Sequence, residues 1–113
     1  MNNLRKLFET ALLEGVLIHN LDFEIEPTSG FLVELPFEQE HFKQPSLNDF
    51  LSFVKKKSKL LAYSENYLYI YKDSAERWVF SVGVFVADKE EAESLSKDYN
   101  NEYFLYIPTK SKI

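Results

Sequence analysis

The sequence predicts an α+β fold, in which a mixed but mostly antiparallel sheet of about five strands is covered by three helices in the order α-β-β-α-β-β-α-β. Three observations predict it. The run from Trp78 to Ala87 is the longest apolar stretch of the chain, rich in β-branched and aromatic residues and without helical spacing, as expected of a strand buried on both faces. Apolar–polar alternation, strict from Leu21 to Glu26 and resumed in Phe31, Val33, Leu35 and Phe37, surrounds Pro27-Thr28-Ser29-Gly30, the pattern of a hairpin with one wet face. Three further segments carry apolar residues at i, i+3 and i+4, the spacing of helices that bury one stripe.

In chain order, Asn2 or Asn3 caps a first helix whose stripe is Leu4, Leu7, Phe8, Ala11 and Leu12, and Gly15 supplies the left-handed residue that ends it. Leu21, Phe23 and Ile25 then alternate with Asp22, Glu24 and Glu26. After the Pro-Gly turn, Phe31, Val33, Leu35 and Phe37 form the second strand of an antiparallel hairpin, with Glu34 on its other side. Residues 38 to 45 read as a polar loop. Ser46 to Asp49 is a capping box with Asp in the Glu position, opening a helix with the stripe Leu47, Phe50, Leu51 and Val54. Lys55, Lys56, Lys57 and Lys59 follow where cations suit the helix dipole.

Tyr67 to Tyr71 is a strand with three tyrosines on one face, and a short polar turn returns the chain into the central strand. There, Trp78, Phe80, Val82, Val84 and Val86 line one side, and Val79, Ser81, Gly83, Phe85 and Ala87 the other. The small residues of that second side predict a helix, the third, packed close over Gly83. This third helix is capped by Asp88, with Glu91 placed to reach back, and buries Ala92, Leu95 and Tyr99; Asn100-Asn101 ends it. The last strand, Glu102 to Ile107, is expected to lie parallel to the central one through a right-handed crossover.

At 113 residues with 45% apolar and 16% aromatic content, the chain is expected to form a single domain over residues 1 to 113. The absence of cysteine excludes disulfides, thiolate metal sites and thiol catalysis. No run approaches the roughly 20 apolar residues needed to cross a bilayer, and the polar N-terminus has no signal-peptide pattern, so a cytoplasmic protein is expected. A net charge of −5 argues against general nucleic-acid binding. Its distribution is uneven: from Leu7 to Phe42 there is no Lys or Arg, while Glu9, Glu14, Asp22, Glu24, Glu26, Glu34, Glu38 and Glu40 all fall there.

No catalytic constellation and no cofactor signature is visible. Glu38, Glu40 and His41 could be drawn as a metal site, but no second His is spaced to complete it. Two surfaces are candidates for binding. Asp22, Glu24, Glu26 and Glu34 would form a band of negative potential on the hairpin, suited to a protein partner with a basic surface. Alternatively, Tyr67, Tyr69 and Tyr71, with Lys55 and Lys56 guiding the backbone, would make a stacking platform for single-stranded nucleic acid.

Asn20, the run Pro27 to Phe31, Tyr67-Leu68, the segment Asp88 to Ala92 and Asn100 occur in an order that resembles a loosely defined group of small phage and prophage proteins. Asp22 to Glu26 stands where that pattern has Thr-Gly-Glu-Leu-Asn. The resemblance implies an accessory protein of a mobile element and no activity. With the acidic hairpin, the expected function is a protein-interaction module, one that covers a basic surface of a host nucleic-acid-handling enzyme; the alternatives are an immunity-type inhibitor of a toxin and the single-strand binder.

Overall fold

The computed structural model describes residues 4–20, 30–35, 38–99 and 104–107. The elements are α1 (Leu4–Glu14), β1 (Val16–His19), β2 (Gly30–Glu34), β3 (Glu40–Phe42), α2 (Leu47–Lys56), α3 (Ser58–Leu61), β4 (Asn66–Lys72), β5 (Trp78–Val86), α4 (Lys89–Asp98) and β6 (Phe104–Ile107). Local chemistry sets most of their ends. Gly15 ends α1 at φ +83°, a conformation that side chains with a β-carbon rarely adopt. The capping box of α2 is complete, with Ser46 Oγ accepting from the amide of Asp49 at 3.1 Å and Asp49 Oδ2 accepting from the amide of Ser46 at 2.8 Å. Asp88 caps α4, its carboxylate taking the amide of Glu90. The expected caps at Asn2 or Asn3 and the stop at Asn100-Asn101 lie outside the described residues.

Five strands lie side by side in the order β1-β4-β5-β2-β6, and β3 adds a sixth beside β5. β5 is the centre, as its apolar run predicts. β4 occupies one edge of it, from Asn66 opposite Val84 to Lys72 opposite Trp78. β2 and β3 share the other edge, β2 pairing with Gly83 to Val86 and β3 with Trp78 to Phe80. The segment expected to be a plain loop therefore contains a short strand, because the first residues of β5 offer it an unoccupied row of backbone donors and acceptors.

Two further expectations are corrected. β2 was expected to pair with residues 21–26, which lie outside the described residues, yet β5 and β6 occupy both of its edges. Phe31-Leu32-Val33 is a continuous apolar run, and such a run belongs to an interior strand buried on both faces. The second correction concerns β6, which runs in the direction of β5 as expected but is not its neighbour. β2 lies between them, antiparallel to each, so every pairing among the described strands is antiparallel.

Residues directly opposite in an antiparallel ladder share a face, which separates the sheet into two unlike sides. One side holds Leu17, Leu68, Ile70, Trp78, Phe80 and Val82, packed under Phe8 and Ala11 of α1, Phe50 and Phe53 of α2 and Leu61 of α3. Phe80 is the hub, with the rings of Phe42, Phe50 and Phe53 at 4.8, 6.0 and 5.7 Å. Farther along the same side, Ala92 of α4 packs on Val33 and Val86, flanked by Phe31, Val84, Leu95 and Tyr99. The stripes differ from expectation at single positions: Phe53 is buried where Leu51 was expected, and Leu12 is exposed. All four described helices thus cover one side of the sheet.

Candidate functional site: the helix-free face of the sheet

The opposite side carries Val16 and Ile18 of β1, Tyr67, Tyr69 and Tyr71 of β4, Val79, Ser81, Gly83 and Phe85 of β5, Leu32 and Glu34 of β2, and His41 of β3. No described helix packs on it. The expectation of a helix over Gly83 is therefore overturned: the space is filled by Leu32 from β2, whose Cγ would lie 2.8 Å from a β-carbon added at Gly83. A small residue reports that something comes close, and here it is a neighbouring side chain lying across the strand.

A second side chain crosses β5 in the same way. Tyr71 stands on β4 and Glu34 on β2, with β5 between them, and adjacent strands are about 4.8 Å apart. The Tyr71 hydroxyl nevertheless lies 3.0 Å from each carboxylate oxygen of Glu34, so the ring must lean over the strand that carries Ser81. Tyr69 lies against it, ring centroids 4.6 Å apart and tilted by 31°. Tyr67 is buried at 3% exposure and meets Phe85 at 6.1 Å. Ser81 Oγ donates to the carbonyl of Tyr69 at 3.0 Å, satisfying the buried hydroxyl.

This packing shifts the phenols. Burial, followed by the negative charge of Glu34, pushes Tyr69 up to about 12. Tyr71 is held well above the ordinary tyrosine range, first by burial and then by the charge of Glu34 and the hydrogen bond to it. Burial alone raises Tyr67. Both aromatic rings near Glu34 thus stay neutral donors at physiological pH and feel a nearby negative charge.

The residues singled out from the sequence are redistributed. Asp22, Glu24 and Glu26 lie outside the described residues. Glu34 was expected on an exposed acidic strand face and instead sits partly buried among tyrosines. Tyr67 is too buried to stack a base, which leaves Tyr69 and Tyr71 of the three. Lys55 and Lys56 are on α2, across the sheet from the tyrosines, so the fold does not join them into one nucleic-acid track. Lys56 instead pairs with Glu40 at 2.8 Å and Lys57 with Glu38 at 2.8 Å, so part of the charge asymmetry along the chain is closed internally. Among the described residues there is no group of three or more His, Cys, Asp and Glu able to hold a metal. Ile18 and Leu32 were missed as members of this face, and Phe85 was placed on the correct side of β5 but not among its neighbours on other strands. Their signal was the alternation of β5, usable only once the register of its neighbours is known.

Asn20 has a structural role. Its buried Nδ2 donates to the carbonyl of Ser64 at 2.8 Å, and Asn66 Nδ2 donates to Leu60 at 2.8 Å, tying the end of β1 to the turn before β4. No protein-family model matches the chain, and no curated protein or solved structure matches it either. No described helix is long and apolar enough to cross a membrane.

Proposed function

We propose that this chain is a protein-interaction module that works through the helix-free face of its sheet. One observation carries the reading: that face presents the partly exposed residues Ile18, Tyr69, Tyr71 and Phe85 around the carboxylate of Glu34, with no Lys or Arg among its described residues. Aromatic enrichment and depletion of lysine are the composition of protein interfaces. The carboxylate and the net charge of −5 favour a partner with a basic surface. The resemblance to phage accessory proteins supports seeking it among host enzymes that handle nucleic acids.

The reading is tested by placing a photo-reactive p-benzoylphenylalanine at Phe85 and, separately, at Leu13, which is 87% exposed on the helix side. Irradiation of cells making each form should give a protein adduct from position 85 and none from position 13, and the adduct should vanish when Tyr69→Ala is added. No adduct from position 85, or the same adducts from both positions, would overturn the reading.

A further inference from the structure

We propose that the segment from Glu38 to Pro45, which carries β3, is a strap that opens and closes on β5 while the rest of the sheet stays folded, its closure set by Lys56 and Lys57. β3 has three residues and, among the described strands, pairs with β5 alone. The chain on either side of the strap is fastened separately. Before it, the amide of Leu35 donates to the carbonyl of Val82 at 2.9 Å, and after it Ser46 is fixed by the capping box of α2. The strap can therefore leave β5 without moving β2 or α2.

Besides its short ladder, the strap is held by one ring and two carboxylates. Phe42 is partly buried, its ring 4.8 Å from that of Phe80, and Glu38 and Glu40 reach Lys57 and Lys56, each at 2.8 Å. His41 is exposed and adds no burial. Segments with few buried apolar groups open at a lower free energy than the core, and salt weakens charge pairs that water reaches. Opening bares the backbone donors and acceptors of β5 from Trp78 to Phe80, together with the side of the Phe80 ring that Phe42 covers. A bared row of that kind is where an extended chain adds as a new strand. The closed strap keeps that edge covered, and the two lysines decide how often it is open.

Native-state hydrogen exchange of the intact chain, followed residue by residue by NMR, tests this. The amides of residues 40–42 that bond to β5 should exchange about a hundredfold faster or more than those of Leu68 and Val82, which face each other inside the sheet. Their rate should be indifferent to low urea, because a local opening exposes little surface. Raising sodium chloride from about 0.05 M to about 0.5 M should speed them. Lys57→Met should speed them about fivefold or more, Lys57→Arg should leave them near the rate of the unaltered chain, and Lys56→Met, at a side chain 60% exposed, should change them little. Val33→Ala, in the separate cluster under α4, should speed Leu68 and Val82 and leave residues 40–42 unchanged. Exchange of residues 40–42 at the rate and with the urea dependence of Leu68 and Val82 would mean that the strap opens only when the whole protein unfolds, and the proposal is overturned. Fast exchange that neither salt nor Lys57→Met alters would equally overturn closure by the lysines.

Discussion

A side chain at Gly83 has nowhere to go, because the first atom added would meet Cγ of Leu32, itself buried, at 2.8 Å. Gly83→Ala is expected to destabilise the protein by about 1 to 3 kcal/mol through overpacking, seen as a lower denaturation midpoint with an unchanged slope. Leu32→Ala in the same chain should return part of the loss, since neighbouring residues couple. The sequence made the tight approach at Gly83 visible but not the residue that fills it, because smallness marks a volume and says nothing of its occupant. The tyrosines give a second expectation. Tyr69 and Tyr71 are neutral in the fold well beyond the pH at which an unfolded tyrosine ionises, so the stability they support is fully present below about pH 10 and is lost as pH rises toward about 12. The thermal midpoint should fall across that window, and Tyr71→Phe should make the fall shallower. A spectrophotometric titration showing both phenols ionising near pH 10 would contradict the packing described.

β3 is the element that depends most on its surroundings, with three residues, one strand neighbour and one ion pair to α2, from Glu40 to Lys56, beside which Glu38 and Lys57 pair just outside both elements. The pairs are unequal. The side chains of Lys57 and Glu38 are 17% and 24% exposed, with Lys57 also 5.8 Å from the centre of the Phe53 ring, whereas Lys56 is 60% exposed. Solvent screens the second pair, and exposed pairs contribute about 0 to 1 kcal/mol. Lys57→Met leaves a half-buried carboxylate without its cation and should cost about 1 to 2 kcal/mol, while Lys56→Met should lie near zero. Equal midpoints for the two variants would refute this ranking. The contrast with α2 shows what the chain reveals by itself. The capping box at Ser46 and Asp49 is written in adjacent residues and was legible. Glu40-His41-Phe42 has no strand pattern of its own, and it becomes one only because β5 pairs with it and Lys56 receives Glu40.

At the scale of the molecule, the class of fold, the central strand and the principal helices were legible, because apolar periodicity is a local record of burial. The order of strands was not. Phe31, Val33 and Leu35 read as one face of a hairpin, and nothing nearby in the sequence tells β2 to lie between β5 and β6. The sides of the sheet were equally hidden: Tyr69 and Tyr71 read as possible companions of Lys55 and Lys56, and register alone puts them apart. Glu34 joined the tyrosines for the same reason, being opposite Gly83 on β2 while Tyr67 is opposite Gly83 on β4.

The position of β2 has a consequence for how the protein is made. It leaves the ribosome early, yet the strands that flank it are synthesised later, and the second of them, β6, is the last described element of the chain. β4 and β5 are joined by a tight turn and can pair as they emerge, but the nascent chain must carry Leu32 and Val33 unshielded until β5 and α4, which cover them, have been made. The place of β2 in the sheet therefore depends on segments made after it, and β6 completes it by adding along the edge of β2 that β5 leaves open.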